Sequence, residues 1–593
     1  MQTNDRQITE LMQSINSGKA QLPDFQRGWV WDDDRIKALI ASITCGFPVG
    51  AAMFLEYGNA DIRFKYRTVE GSLASNVVPD ELILDGQQRL TSLYSALFND
   101  KCVRTRTEKN KDKDIYRYYY INIEKAIDPS VDRIEAILSV PADSKKITSD
   151  FGRNVILDLS TRDMEFKNHI FPLNIILDFV KSQDWQNKYY AYYNYDPAVI
   201  QQFTRFNNEI VIPTMQYKMP VIKLGKETPK EAVCQVFENV NTGGVSLTVF
   251  ELVTAVFAMD DFELRKDWEN RQQQYFHGDI LSATTATDFL TACTLLSTYK
   301  KGGTVSCKKK DVLNLTLDEY QKYADNLSNG FVEAEKILQE ERIFNSKDLP
   351  YTTQLIPLAV ICTVLTGEKK LNIANIKNKV KQWYWCGVFG EMYGGASETR
   401  YVYDVVDVLN WINSGDKLPR TIQDSYFNPL RLLGLQSRQS AAYKGVMALI
   451  FQNHSADFIS GREMDFTRYK SDGIDIHHIF PKDYCIKCNY DKRKWNSVVN
   501  KTPLSYETNR EIGGVSPSKY IAKIERKDQV TSDMLDTYLD SHFIDVQSCR
   551  SDDFDTYFVK RASSLLNAIE KATGKPISGR NSEEVIKEFG SAL

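Results

Sequence analysis

Leu82-Ile83-Leu84-Asp85-Gly86-Gln87-Gln88-Arg89-Leu90 is the stretch on which the reading of the N-terminal region turns. Its first three residues are a short apolar run of strand type, and Leu90, Leu93, Tyr94 and Leu97 then recur at helical period. The Asp-Gly-Gln-Gln-Arg segment therefore sits where a strand turns into a helix. Such a junction aims free backbone N–H groups and the positive end of a helix dipole outward, a natural seat for phosphate. Arg89 can fork onto phosphate oxygens, Gln87 and Gln88 can position water or a base, and Asp85 can hold a metal or act as a base. By spacing alone, a capped helix with a polar turn accounts for the same residues.

Upstream, Ile36, Leu39, Ile40 and Ile43 mark the buried face of a helix, with Asp32 to Asp34 as its cap and Gly46 with Pro48 as its stop. Just ahead of it, Phe25-Gln26-Arg27-Gly28-Trp29-Val30-Trp31 sets three aromatics around a Gln and an Arg. Downstream, Tyr118 to Ile123 is strand-like, and the lysine-rich stretch from Lys101 to Lys113 reads as an exposed loop. Phe237-Glu238-Asn239-Val240-Asn241-Thr242-Gly243-Gly244 joins two helices; Pro229 suits the start of the first, and Thr248 with Glu251 forms a capping box for the second.

The whole chain has 593 residues, 42% apolar and 26% charged, the profile of a globular protein of several domains. Its net charge is −4, so any polyanion must be held by a local patch. Met1 to Gln13 lacks the apolar core of a signal peptide. Leu355 to Leu365, the longest apolar stretch, is interrupted by Pro357 and Thr363 and falls short of the ~20 residues of a membrane span. Ten scattered cysteines indicate reduced thiols and a cytoplasmic location, with no membrane partner.

These patterns give an α+β multidomain chain in three parts. Residues 1–260 mix strands and helices. Residues 261–436 are mainly helical, with helical spacing over Leu313–Glu341, Thr352–Leu365 and Lys369–Val388. Lys300, Lys301, Lys308, Lys309 and Lys310 around Gly302-Gly303 make a surface loop, more often solvated than bound to phosphate. Residues 437–593 hold the densest chemistry. From Lys482 to Lys527, eleven Lys or Arg stand against five Asp or Glu, a net of +6.

Here the sequence runs Ile474-Asp475-Ile476-His477-His478-Ile479-Phe480-Pro481, then Val498-Val499-Asn500-Lys501-Thr502-Pro503-Leu504, then Ser505-Tyr506-Glu507-Thr508-Asn509-Arg510. Two of the chain's six histidines are adjacent. The order is strand, turn, strand and helix, which can gather His477, His478, Asn500 and Asn509 around one point. Phosphodiester hydrolysis needs a base to activate water, a divalent ion to neutralise charge, and a group to orient the base. Imidazole titrates near neutrality, a second imidazole and an amide oxygen can serve an ion, and a further amide can fix a tautomer. Arg510 and Lys519 are candidate phosphate contacts. Cys485 and Cys488 form a CxxC without a second pair, and so read as structural or incidental rather than as a zinc site.

The paired histidines with their two downstream asparagines resemble the HNH (His-Me finger) nucleases, and in particular the C-terminal domain of GmrSD-type modification-dependent, type IV restriction endonucleases. That resemblance implies a ββα-metal fold, with His478 as general base, Asn500 as its orienter, and His477 and Asn509 binding magnesium or manganese. His477 stands where an acidic ligand is common and Asn509 where a third His often stands; Asp475 is the alternative ligand. In a regular strand His477 and His478 face opposite sides, so this assignment asks for a local irregularity. The segments FQRGWVW, ILDGQQRLTSL and FENVNTGGVSLTVFEL resemble the N-terminal domain of the same family, which implies a ParB/sulfiredoxin-like fold. It also implies binding and hydrolysis of a nucleoside triphosphate (GTP, ATP or another) by Asp85, Gly86, Gln87, Gln88 and Arg89, with Asn241 close to the nucleotide. No GxxxxGK[ST] occurs, so this is no P-loop site. SspE-like defence nucleases, to which the chain is also similar, sense a DNA modification with this domain, which makes Phe25, Gln26, Arg27 and Trp29 candidates for a sensing pocket. The expectation is a nucleotide-regulated nuclease acting on modified phage or plasmid DNA in anti-phage defence, with homo-oligomerisation open. The rivals are a nucleotide sensor with a non-cleaving HNH-like module and a toxin-like nuclease without selectivity.

Overall fold

The computed structural model describes every residue except 1, 25, 27, 59–63, 109, 150–153, 230–231, 234–247, 396, 416, 465–473 and 528–529. It divides into two compact units, Met1–Leu264 and Arg265–Leu593. The helical middle and the C-terminal region lie within a single unit.

The first unit is built on a six-stranded mixed sheet. Its strands are β1 (Gln2–Gln7), β2 (Ala20–Pro23), β3 (Ala52–Glu56), β4 (Tyr66–Arg67), β5 (Glu81–Asp85) and a late strand, Lys218–Leu224. The spatial order is β1, Lys218–Leu224, β3, β5, β2, β4, with β5 central and buried over its first four residues. Helices α1 (Ile8–Asn16), α2 (Asp33–Thr44) and α3 (Gln87–Leu97) bury Ile8, Leu11, Ile36, Ile40, Leu90 and Leu93 in its core. The α2 helix is the one the apolar spacing marks, and the Asp32 carboxylate accepts from the Arg35 N–H at 2.9 Å as its cap. Thr248 and Glu251 also cap as expected, the Thr248 N–H donating to Glu251 Oε2 at 2.9 Å.

One expectation is overturned. The Lys101–Lys113 stretch is not a loop but most of a β-hairpin, Val103–Thr107 against Asn110–Asn122. Arg104 and Arg106 alternate with Val103 and Thr105, which are buried, so charge content masked a period of two.

The second unit is helical around Leu355–Gly367, in which ten side chains from Leu355 to Leu365 are buried. A helix apolar on all sides must be wrapped, and Leu317–Glu340 packs along it. Among the described residues no helix is long and apolar enough to cross a membrane. Helix Phe554–Thr573 packs on Ala374–Phe389, which ties the helical middle to the C-terminal region. From Phe554–Thr573 the fully buried Arg561 donates to the carbonyls of Lys501 at 2.9 Å and His542 at 3.2 Å.

His542 is fully buried beside the strand that carries Thr502. Its Nε2–H donates to the Ala456 carbonyl at 2.9 Å, so Nδ1 accepts from the Thr502 hydroxyl at 2.6 Å. Burial pushes its pKa down to about 3. Below the ordinary value of about 6.5, the unfolded chain takes up a proton that the folded state refuses. The stability due to neutral His542 is therefore full above about pH 6.5 and is lost progressively as pH falls. Chemical denaturation of the wild type should lose up to about 1.4 kcal/mol more per pH unit than His542→Gln between pH 6 and 4. Equal slopes would contradict the buried neutral imidazole.

Candidate functional site

The C-terminal hairpin pairs Ile474–His478 with Lys501–Ser505 in antiparallel register, Asp475 opposite Leu504, His477 opposite Thr502 and His478 opposite Lys501. Helix Tyr506–Ile512 follows at once, its first turn capped by Ser505 Oγ, which accepts from the Thr508 N–H at 3.2 Å. The buried Asp457 fastens this strand-to-helix corner, accepting from the Ser505 N–H at 3.1 Å and the Thr508 hydroxyl at 2.8 Å. The strand–strand–helix order is as expected, although two short helices, Lys482–Lys487 and Lys492–Trp495, fill the connection between the strands.

Strand alternation puts Asp475 and His477 on one side, and the helix brings Asn509 to them. Asn509 Nδ2 donates to Asp475 Oδ2 at 2.8 Å, and Arg438 holds the other carboxylate oxygen at 2.9 Å. The carboxylate fixes the amide's orientation, so Asn509 Oδ1 faces His477 Nδ1 at 2.6 Å and accepts its proton. His477 Nε2 is then a lone pair, buried and without a partner. Burial holds the imidazole neutral, its pKa lowered to about 4. Asn509, expected as a metal ligand, and Asp475 instead engage the Nδ1 side of the ring, so the buried Nε2 lone pair is the donor left for a manganese- or magnesium-type cation. Among the described residues no group of three His, Cys, Asp or Glu surrounds a common point, so such a cation relies on water as well.

The remaining two residues are placed otherwise than expected. The strand carries no irregularity in its register, and His478 does not join His477. His478 is half-buried beside Trp495, and its Nε2 meets Asn496 Oδ1 at 3.3 Å. Asn496 in turn donates to Gln436 Oε1 at 3.3 Å, so it accepts from His478 and leaves Nδ1 as the basic atom. Burial first, then the neighbouring Lys501, Lys482 and Arg438, lower the His478 pKa. Asn500 does not touch the imidazole at all. Fully buried, it donates to the Phe480 and Trp495 carbonyls, each at 2.9 Å, and accepts from the Phe480 N–H at 2.9 Å. It orients the base through the backbone that follows His478, because a carboxamide can clip both polar groups of one residue. Asn496, Asp457, Arg438 and Lys501 were not singled out from sequence, since each lies far from its partner along the chain or in a connection without periodicity. Arg510 and Lys519 are exposed on the helix Tyr506–Ile512 and at the start of Pro517–Lys527. Cys485 is buried and its thiol donates to the Phe480 carbonyl at 3.3 Å, while Cys488 is exposed.

In the first unit, Asp85 ends β5, Gly86 is left-handed at φ 87°, and Gln87 opens α3. The strand-to-helix junction is thus where the sequence puts it. The Arg89 guanidinium, however, is turned onto protein. It donates to the carbonyls of Val49 at 2.6 Å and Ala51 at 2.8 Å and to Asp85 at 3.0 Å. A Cβ on Gly50, itself at φ +85°, would lie 2.5 Å from that guanidinium. Gln88 bridges to the preceding segment, accepting from the Val30 N–H at 2.9 Å and donating to the Gly28 carbonyl at 3.3 Å. Gln26 is buried and donates to the carbonyls of Ile83 at 2.9 Å and Leu84 at 3.1 Å, and its Oε1 has no partner. Trp29 is a core residue, 6% exposed, with its indole N–H on Ser92 Oγ at 3.0 Å. Its place in a sensing pocket gives way to packing. Phe25, Arg27 and Asn241 lie outside the described residues.

Comparison with known proteins adds two findings. Residues 8–258 match the family described as GmrSD restriction endonuclease, N-terminal domain. The chain is also 27% identical over 544 residues to the uncharacterized protein MJ0686 of Methanocaldococcus jannaschii, covering 88% of this chain and 87% of that protein.

Asn500 gives a direct check on the hairpin. Asn500→Ala should cost about 2–4 kcal/mol by urea denaturation, since three buried backbone groups lose partners. Asn500→Asp should cost at least as much, because a carboxylate oxygen would face two carbonyls. A loss below about 0.5 kcal/mol, the level of a surface change, would contradict the clip.

Proposed function

We propose that the chain is a metal-dependent HNH-type DNA endonuclease, with a ββα-metal site at residues 474–512 and a ParB/sulfiredoxin-like N-terminal domain that binds and hydrolyses a nucleoside triphosphate. In this reading it acts in the cytoplasm against modified DNA. The match of residues 8–258 to a restriction endonuclease domain supports the substrate class. The observation that carries the hydrolytic reading is the His477–Asn509–Asp475 cluster, with His477 Nε2 unpartnered, one residue from an imidazole whose Nδ1 is basic.

His477 Nε2 would ligate the divalent ion, which when bound supplies charge neutralisation at the phosphate, while Asn509 and Asp475 orient the ring from its Nδ1 side. His478 Nδ1 takes a proton from a water whose oxygen forms a bond to phosphorus. The bond from phosphorus to the leaving sugar oxygen breaks, and that oxygen takes a proton from solvent. Both imidazoles are held neutral by burial, the state a base must start from. Asn496 fixes the tautomer of His478, and Asn500 fixes the backbone on which the ring is mounted. At the other site, the Asp85–Arg89 clamp shapes the loop at residues 49–51, and the unpartnered Gln26 Oε1 is a polar atom left for a nucleotide or a modified base.

Digestion of a panel of modified and plain DNAs of identical sequence, with manganese or magnesium and each NTP, tests the reading. The wild type should cut modified DNA, and His478→Ala should lose about 100-fold or more in rate with DNA affinity retained. Metal-dependent cutting that survives His478→Ala removes the assigned base; equal cutting of plain DNA removes the modification dependence. Separately, Arg89→Ala should abolish NTP turnover while the C-terminal unit keeps its melting transition. Unchanged turnover would contradict the nucleotide assignment.

A further inference from the structure

Lys501 stands directly across the hairpin from His478 and is 7% exposed. Its ammonium donates to the Gln436 carbonyl at 2.9 Å and lies 5.6 Å from the Tyr443 ring centre. Among the described residues it makes no ion pair. An ammonium taken out of water without a carboxylate is costly, and proteins ordinarily supply a counter-charge or remove the group. Here the nearby charge is of the same sign: Arg438 and burial together draw the Lys501 pKa down to about 8. Lys482, exposed at the start of its short helix, adds another cation near His478. Asp475, the carboxylate that pairs with Arg438, lies on the His477 side and also accepts from Asn509.

A carbonyl contact such as the one to Gln436 can be made by a neutral amide, so it does not account for a buried positive charge. A singly charged anion beside His478 would balance the buried ammonium. We propose that Lys501, with Lys482, holds the non-bridging oxygens of the scissile phosphodiester against His478. This inference rests on the hydrolytic reading above and names the groups that grip the substrate there. Lys501 is the cross-strand partner of His478, so the base and the phosphate grip share one part of the hairpin. As water adds to phosphorus, charge grows on the oxygens that Lys501 touches. The partly buried ammonium is preorganised for that charge and needs no solvent reorganisation.

Two measurements on the full chain test the proposal. The first is the thermal midpoint against sulfate at constant ionic strength. The wild type should show a saturable rise, which Lys501→Met loses and Lys501→Arg keeps. Met replaces a buried charge with apolar volume, so the variant should fold. Lys482→Gln, a surface change, should weaken half-saturation about threefold to tenfold and gives a check independent of folding. The second is single-turnover cutting with manganese at saturating DNA. Lys501→Met should fall about 100-fold while half-saturating DNA shifts less than about threefold. A sulfate response that persists in Lys501→Met overturns the clamp, as does cutting within about threefold of wild type. If the wild type cuts no DNA, the hydrolytic reading falls by itself, and the sulfate response still decides whether the anion site exists.

Discussion

A single buried carboxamide holds the C-terminal site together. Asn500 spends all three of its hydrogen bonds on backbone, two of them on Phe480, and so closes the connection that begins right after His478. With that closure fixed, the antiparallel register is fixed as well, and alternation along the strand decides which side chain goes where. A slip of one residue would exchange the His477 and His478 faces. Everything chemical at the site follows from this register: Asp475 and His477 meet Asn509 on one side, and His478 meets Asn496 and Lys501 on the other. Asp457 and Arg561 brace the second strand from behind, at its corner and along its carbonyls.

The electrostatics of the two faces differ. The His477 face is balanced, a chain of hydrogen bonds running from Arg438 through a carboxylate and a carboxamide to a neutral imidazole. The His478 face carries an excess of positive charge in a protein of net charge −4.

Much of this was legible in the sequence. The Asp32 cap and the Ile36 to Ile43 spacing specify α2, and the run Leu82–Leu84 followed by periodic leucines specifies the junction at Asp85-Gly86. His477 and Asn509, expected from the family resemblance as two metal ligands, are hydrogen-bonded to each other, and His478 and Asn500 do not join them. What escaped depended on long-range geometry or on backbone. The partners of Asn500 are main-chain groups, which no residue pattern announces. Arg438 reaches Asp475 from another part of the unit, and Asn496 sits in a connection with neither period two nor period 3.6. Arg89 looked free for phosphate because its local neighbours are polar, yet its acceptors are carbonyls on the strand-entry loop at Val49 and Ala51. The hairpin inside Lys101–Lys113 was hidden because exposed strands can be as charged as loops.

The central claim is that the hairpin and its following helix present His477 as a nitrogen donor to a divalent ion. Electron spin-echo spectroscopy of bound manganese tests it most directly, because imidazole nitrogen modulates the echo of the metal it ligates. The wild type should bind manganese with imidazole modulation, and His477→Ala should abolish that modulation while a buffer-accessible background remains. Modulation unchanged in His477→Ala, or manganese held with no nitrogen ligand in the wild type, would contradict the account.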